Sequence, residues 1–271
     1  MKKLFALFAF VGLLCSVSAQ KVNETVTVYG NDQLTGFTIN IDNATADIVA
    51  AALADKFESQ FAMKGANKKG FRVYENQPCP AFGEARYDTY FTTSTIGKKK
   101  SQYTQLILVV STGNMNCITF SNDPRTARSI VMFMENLPND VEAYKTQLRI
   151  KQLETELANL KRERESLEKD QEKVNEKLKM TNDDIKKISD RLDRQAEEIE
   201  KLQDQFNKTH DPKLRDQIAT AVKDKEAMQK SHNAKQKSLL KMNDELYKIN
   251  NKLQENAKKI EEIEAELKTL R

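Results

Sequence analysis

From Ile150 to Leu270 apolar residues recur at spacings of three and four, with one interruption. With Ile150 as heptad position a, that position next falls on Leu157, Arg164, Gln171, Leu178, Ile185, Leu192, Ile199 and Phe206. Position d falls on Leu153, Leu160, Leu167, Val174, Thr181, Ile188, Gln195 and Leu202. Thirteen of these seventeen sites are apolar with no skip, the signature of a coiled coil. Past Phe206 the frame fails, because it would carry Lys213, Asp216, Thr220 and Lys223 into the seam. A second frame starts one residue late. Its d sites run from Leu214 and Ala221 to Ile263 and Leu270, its a sites from Ile218 to Leu267, and the apolar share is the same.

Between the frames lies Asn207-Lys-Thr-His-Asp-Pro-Lys-Leu-Arg215. A proline inside a helix costs roughly 3 kcal/mol, whereas at the first turn its missing N–H costs nothing. Thr209, His210, Asp211 and Pro212 therefore read as a turn, with Asp211 capping a second helix. Folding about His210 sets Phe206 against Leu214, Leu202 against Ile218 and Ile199 against Ala221, so a layers meet d layers. The seams 150–206 and 214–270 have equal extent, which favours an antiparallel hairpin over a proline-interrupted rod in a parallel dimer. Each arm would span about 85 Å at 1.5 Å per residue. Lys225, His232 and Lys235 put three cationic or titratable groups into one stretch of seam. Lysine stems reaching outward explain them more cheaply than a pH-sensitive partner site.

Residues 20–138 have another grammar. Val22–Tyr29 and Phe37–Ile41 alternate as strands, with Gly30-Asn31-Asp32 as the turn between them. Thr45 can cap a helix reaching about Ala62. Phe71–Tyr74, Tyr87–Thr95 and Gln102–Thr112 read as further strands. The last two form a hairpin around Gly97 and Lys98-Lys99-Lys100, and the unbroken run Leu106–Val110 marks a central strand buried on both faces. Asp123-Pro124 opens a helix with the stripe Ile130, Phe133, Met134 and Leu137, which Pro138 is expected to end; Asn139-Asp140 would cap the next. The fold class is α+β: a small mixed sheet with two helices over 20–138, then a coiled-coil helical hairpin over 139–271.

Residues 1–19 read as a signal peptide: Lys2-Lys3, an apolar run from Leu4 to Val17, then small residues at Val17-Ser18-Ala19. Cleavage is expected between Ala19 and Gln20, which would leave no integral membrane segment and place the chain in the periplasm or cell envelope, or outside the cell. That compartment permits a disulfide between Cys79 and Cys117; two free thiols are the equal alternative.

Charge is balanced in both parts, 12 basic against 12 acidic residues over 20–140 and 30 against 28 over 141–271. The lopsided basic surface that binds nucleic acid is absent. The two histidines, His210 and His232, lie in the helical half, and Glu84 and Asp88 form no acid/base pair legible in sequence. Neither metal-ligand spacing nor a Gly-rich loop between strand and helix is present, so catalytic residues, a metal and a cofactor are all unassigned. Asn23-Glu-Thr25, Asn43-Ala-Thr45 and Asn207-Lys-Thr209 fit the glycosylation acceptor pattern, relevant only in a host with that machinery.

The order of these parts, from Ser18-Ala19-Gln20 through Gly36-Phe37 and Asn122-Asp123-Pro124 to a coil rich in Asn, Lys and Glu, resembles uncharacterised secreted α+β plus coiled-coil proteins of Bacteroidota. The resemblance implies a Gram-negative envelope location and carries no active-site residues. The hairpin also resembles the arms of periplasmic holdase chaperones of the Skp type, although here a larger α+β body precedes the arms. The function expected is that of a non-enzymatic interaction or scaffold protein with the coil as spacer or docking arm. A holdase is the alternative, and an enzyme with an unrecognised site the third reading. Partners would be proteins, a second copy of the chain among them.

Overall fold

A computed structural model describes residues 21–97 and 102–271. The expected signal peptide with its Ala19–Gln20 junction, and the lysine run 98–100, lie outside the described residues. The chain divides into two compact units at Arg149/Ile150.

The first unit is a six-stranded antiparallel sheet with helices on one face. The strands are β1 (Asn23–Tyr29), β2 (Asp32–Asp42), β3 (Ala66–Lys68), β4 (Phe71–Pro78), β5 (Arg86–Ile96) and β6 (Tyr103–Ser111), in the order β1-β2-β6-β5-β4-β3. β6 lies inside the sheet, paired with β2 through Phe37↔Leu108 and with β5 through Phe91↔Leu108. Its apolar run feeds both faces: Leu106, Leu108 and Val110 join the core under the helices, while Val109 joins a second cluster with Tyr29, Leu34, Phe71, Val73 and Tyr90. β1 is an edge strand whose Val26 and Val28 remain exposed, and its inward residue is Tyr29.

Helix α1 (Ala46–Asp55) begins where Thr45 Oγ1 accepts from Ile48 N at 3.4 Å, and its Val49, Ala52 and Leu53 are buried. A π-helical turn, Lys56–Gln60, continues it and aims Phe57 into the core. Phe57 is fully buried among the rings of Phe61, Tyr74, Phe82, Phe91 and Phe133, with centroids 5.0–6.4 Å away. Aromatic contacts of this kind add about 0.5–1.5 kcal/mol each to plain area burial.

Helix α2 runs unbroken from Pro124 to Thr209. Its start is capped by Asp123, whose Oδ1 accepts from Thr126 N at 3.1 Å; that bond holds the Asp123 carboxyl below its ordinary range. Pro138 sits inside this helix instead of ending it. The reason is packing: Met134, Leu137 and Val141 form one buried stripe on both sides of the proline, all within the core of the first unit. Continuing the helix keeps that stripe together, and burying each such side chain is worth about 1.5–3 kcal/mol, more in sum than one lost backbone bond.

In the second unit α2 and α3 (Pro212–Leu270) pack together as a hairpin. Both frames derived above describe it. Every a and d residue except Arg164 is buried or half-buried, and nearly all others are exposed. Leu153, Ile263 and Leu267 form a buried cluster flanked by Ile150, Leu157, Leu160 and Leu270. The reversal occupies few residues. His210 has φ +52°, its N–H donates to Phe206 O at 2.8 Å, and Asp211 Oδ1 accepts from Lys213 N at 2.9 Å with Pro212 in the first turn.

Replacing Pro138 restores a backbone donor without touching the stripe. Pro138→Ala should raise stability by about 1–3 kcal/mol, read as a higher denaturant midpoint at unchanged m-value.

Candidate functional site

The described residues hold two arrangements beyond plain packing. One is a polar cluster beside the π turn; the other is the pair of flanks along the hairpin.

The π turn presents Glu58 to β4. Glu58 Oε1 accepts from Arg72 Nε at 3.0 Å, from Arg72 Nη2 at 2.5 Å and from the Tyr74 hydroxyl at 3.0 Å. The hydrogen bonds that Arg72 donates to Glu58 raise the Arg72 pKa, and burial, first among its causes, raises that of the Tyr74 phenol. The guanidinium therefore stays charged, and the phenol stays protonated, throughout the physiological range. Gly65 closes over the cluster so tightly that a Cβ there would lie 2.6 Å from Arg72 Nε and from Tyr74 Cε1. One carboxylate oxygen holding three donors with no room above is a clamp between the π turn and β4. It offers no acid or base in transit. Sequence periodicity did not reveal it, because Glu58, Arg72 and Tyr74 come from two elements whose pairing only the fold supplies.

Asp88 has a structural task as well. Its Oδ1 accepts from Asn76 N at 2.7 Å where β4 shifts register against β5. Glu84 is exposed nearby and forms no pair with it. Cys79 and Cys117 are both free thiols. Cys79 is buried in the core under the helices, whereas Cys117 packs against the cluster on the opposite face of the sheet. The sheet separates them, so the bridge that the compartment would permit does not form. Burial pushes the Cys79 thiol up to about 11 and raises that of Cys117. Among the described residues no group of three or more His, Cys, Asp or Glu is placed to hold a metal ion, and no helix is long and apolar enough to cross a membrane.

Along the hairpin, the unusual seam cations resolve individually. Lys235 reaches out of the seam to Asp184 Oδ2 at 2.7 Å, a snorkelling lysine. His232 is half-buried with its Nδ1 unpartnered. Gln195, on the facing helix, sends Nε2 to Ala221 O at 3.5 Å. Asn256, buried in a d site, donates to Leu160 O at 3.1 Å, a polar pin of the kind that fixes register. The two flanks of the seam differ. At the open end of the hairpin, position e of one helix meets position e of the other in ion pairs, Lys161 with Glu264 at 3.1 Å and Arg271 with Glu154 at 2.5 Å. Grooves of about 560–570 Å³ lie along this flank, lined by Leu157, Ala158, Ile260 and Leu267 between those charges.

No protein-family model matches the chain, and no curated protein is similar to it.

Two outcomes follow from this geometry. Glu58→Gln leaves the Arg72 guanidinium without its carboxylate and should cost about 1–2 kcal/mol in urea unfolding. The chain from Gln20 onward should titrate two thiols without reductant when unfolded. In the native state Cys117 reacts and Cys79 does not. The raised Cys79 pKa means its contribution to stability is full below the unfolded value near 9.0 and is lost as pH rises through about 11.

Proposed function

We propose that the chain is an exported, non-enzymatic interaction protein of a bacterial cell envelope, with the helical hairpin as its spacer or docking arm. One observation carries this reading. Each helix of the hairpin satisfies its apolar seam with the other, so 59 residues of α3 and the matching part of α2 build a long self-contained surface. At 1.5 Å per residue α3 extends about 88 Å, far more than a small core needs for support and suited to presenting contacts at a distance. In the α+β unit the conspicuous titratable cluster, Glu58 with Arg72 and Tyr74, is consumed by internal hydrogen bonds. The amino-terminal signal pattern supports export, and the balanced charge supports protein partners over nucleic acid.

Leu240 and Tyr247, 63% and 68% exposed on the hairpin, favour one second reading: a periplasmic holdase whose arm shields unfolded clients. The two readings separate in one experiment. The chain from Gln20 to Arg271 is immobilised and challenged with detergent-solubilised native envelope, and in parallel is mixed with urea-unfolded outer-membrane protein on dilution. The interaction reading expects saturable retention of a defined partner and no effect on aggregation. Suppressed aggregation without a retained partner would replace it with the holdase reading.

A further inference from the structure

The two helices of the hairpin do not grip each other equally along their length. On α3 full burial is reached at Ala221 beside the turn, and then at Ile249, Asn256, Ile260, Ile263 and Leu267 toward the open end. Between Val222 and Lys248 every α3 residue is half-buried or exposed. On α2 half-buried seam residues occur throughout, so the contrast belongs to α3.

The layers supply the reason. Folding about His210 gives seven of them between Ala221 and Ile249, and four carry a polar residue: Lys225 against Gln195, His232 against Ile188, Lys235 against Ile185 and Leu239 against Thr181. From Ile249 to Leu270 there are again seven, and two are polar, Ile249 against Gln171 and Asn256 against Arg164. Beside the turn, from Leu214 against Phe206 to Ala221 against Ile199, all are apolar.

The polar layers are also met differently. At the open end Asn256 is buried and donates to Leu160 O at 3.1 Å, Gln171 Nε2 reaches Asn250 Oδ1 at 2.6 Å, and Lys161 pairs with Glu264 at 3.1 Å. In the middle Lys235 leaves the seam for Asp184, so only its stem fills the layer. His232 keeps a buried Nδ1 without a hydrogen-bond partner, a group that has given up water and gained nothing. Gln195 reaches Ala221 O at 3.5 Å, beyond the usual range of such bonds.

We propose that the hairpin contains a built-in weak section, residues 222–242 of α3 with the facing 178–198 of α2, which opens locally while both ends stay closed. The inference concerns the mechanics of the arm and holds under either functional reading. Each helix depends on apolar layers shared with the other, so the stretch poorest in them separates at least cost. The backbone runs through it without a break; what falls there is the hold of one helix on the other. The apolar layers beside the turn and the pinned Asn256 at the other end preserve phase, so closing restores the same register. Opening bares Ile185, Ile188, Leu192, Met228 and Met242 together, all half-buried while closed, on the microsecond-to-second scale of local unfolding.

The test is native-state hydrogen exchange of the chain from Gln20 to Arg271, read by mass spectrometry as the protection of each peptide. Amides of 222–242 are expected to be at least about tenfold less protected than those of 249–267. In urea well below the unfolding midpoint their exchange should rise less steeply than that of 249–267, because local opening exposes less surface than global unfolding. His232→Leu, and separately Lys225→Leu with Gln195→Leu, complete the failing layers. Each should raise the protection of 222–242 at least about tenfold and change that of 249–267 less. Lys237→Leu, outside the seam, should alter neither stretch. Equal protection of the two stretches, or completed layers that leave 222–242 as it was, overturns the proposal. So does protection that falls steadily from the open end to the turn, which would mean that the arm frays from its tip.

Discussion

Two helices of this length persist in water because each covers the apolar stripe of the other. Charged helices of low mean hydropathy have little reason to stay helical alone, since isolated helices owe most of their stability in proteins to tertiary packing. Here that packing runs in one register from Phe206 against Leu214 beside the turn to Ile150 and Leu270 at the other end. Every heptad contributes one apolar layer or one polar exception, and the exceptions are accommodated individually. Arg164 turns to Glu168 at 2.8 Å, Asn256 pins itself to Leu160 O, and Lys235 reaches Asp184. None of these interrupts the seam, so the hairpin carries no internal break other than its turn.

The first unit depends on a different constraint. Its sheet offers apolar residues on both faces, and its helices cover one of them. Phe57 is the centre of that side, and it reaches its place because the helix loosens to a π turn at Lys56–Gln60. The same loosening delivers Glu58 to Arg72 and Tyr74. A single local distortion thus fills the core and ties the helical layer to β4. The early turns of α2 complete that core through Ala127, Ile130, Phe133, Met134, Leu137 and Val141, and Lys56 forms an ion pair with Asp140 on α2 while lying over the Phe133 ring at 5.2 Å.

What could be read from residues alone was whatever repeats. The heptad frames, the change of phase between them and the capped reversal at Asp211-Pro212 are periodic or local features, and so are the central strand Leu106–Val110 and the cap at Asp123. What escaped depends on partners distant in sequence. Local propensity makes Pro138 a stop, and the stripe from Met134 to Val141 overrides propensity through contacts that no window of sequence contains. β3 has three exposed residues and no alternation to announce it. Val26 and Val28 alternate like core residues but lie on an edge strand, which only the strand order explains. The relation of Cys79 to Cys117 is of the same sort: equal chemistry, opposite faces of one sheet.

The reversal at His210 has a consequence for how such a chain can change over time. A single left-handed residue and a capped proline leave no slack to absorb a shift in phase. One residue gained or lost in either arm would rotate everything beyond it by about 100° relative to its neighbour and carry lysines and glutamates inward. Length can therefore be altered only by matched deletions or duplications of seven residues, one on each side of the loop. An arm built this way is a ruler with graduations of about 10 Å, and its reach is open to selection in those steps alone.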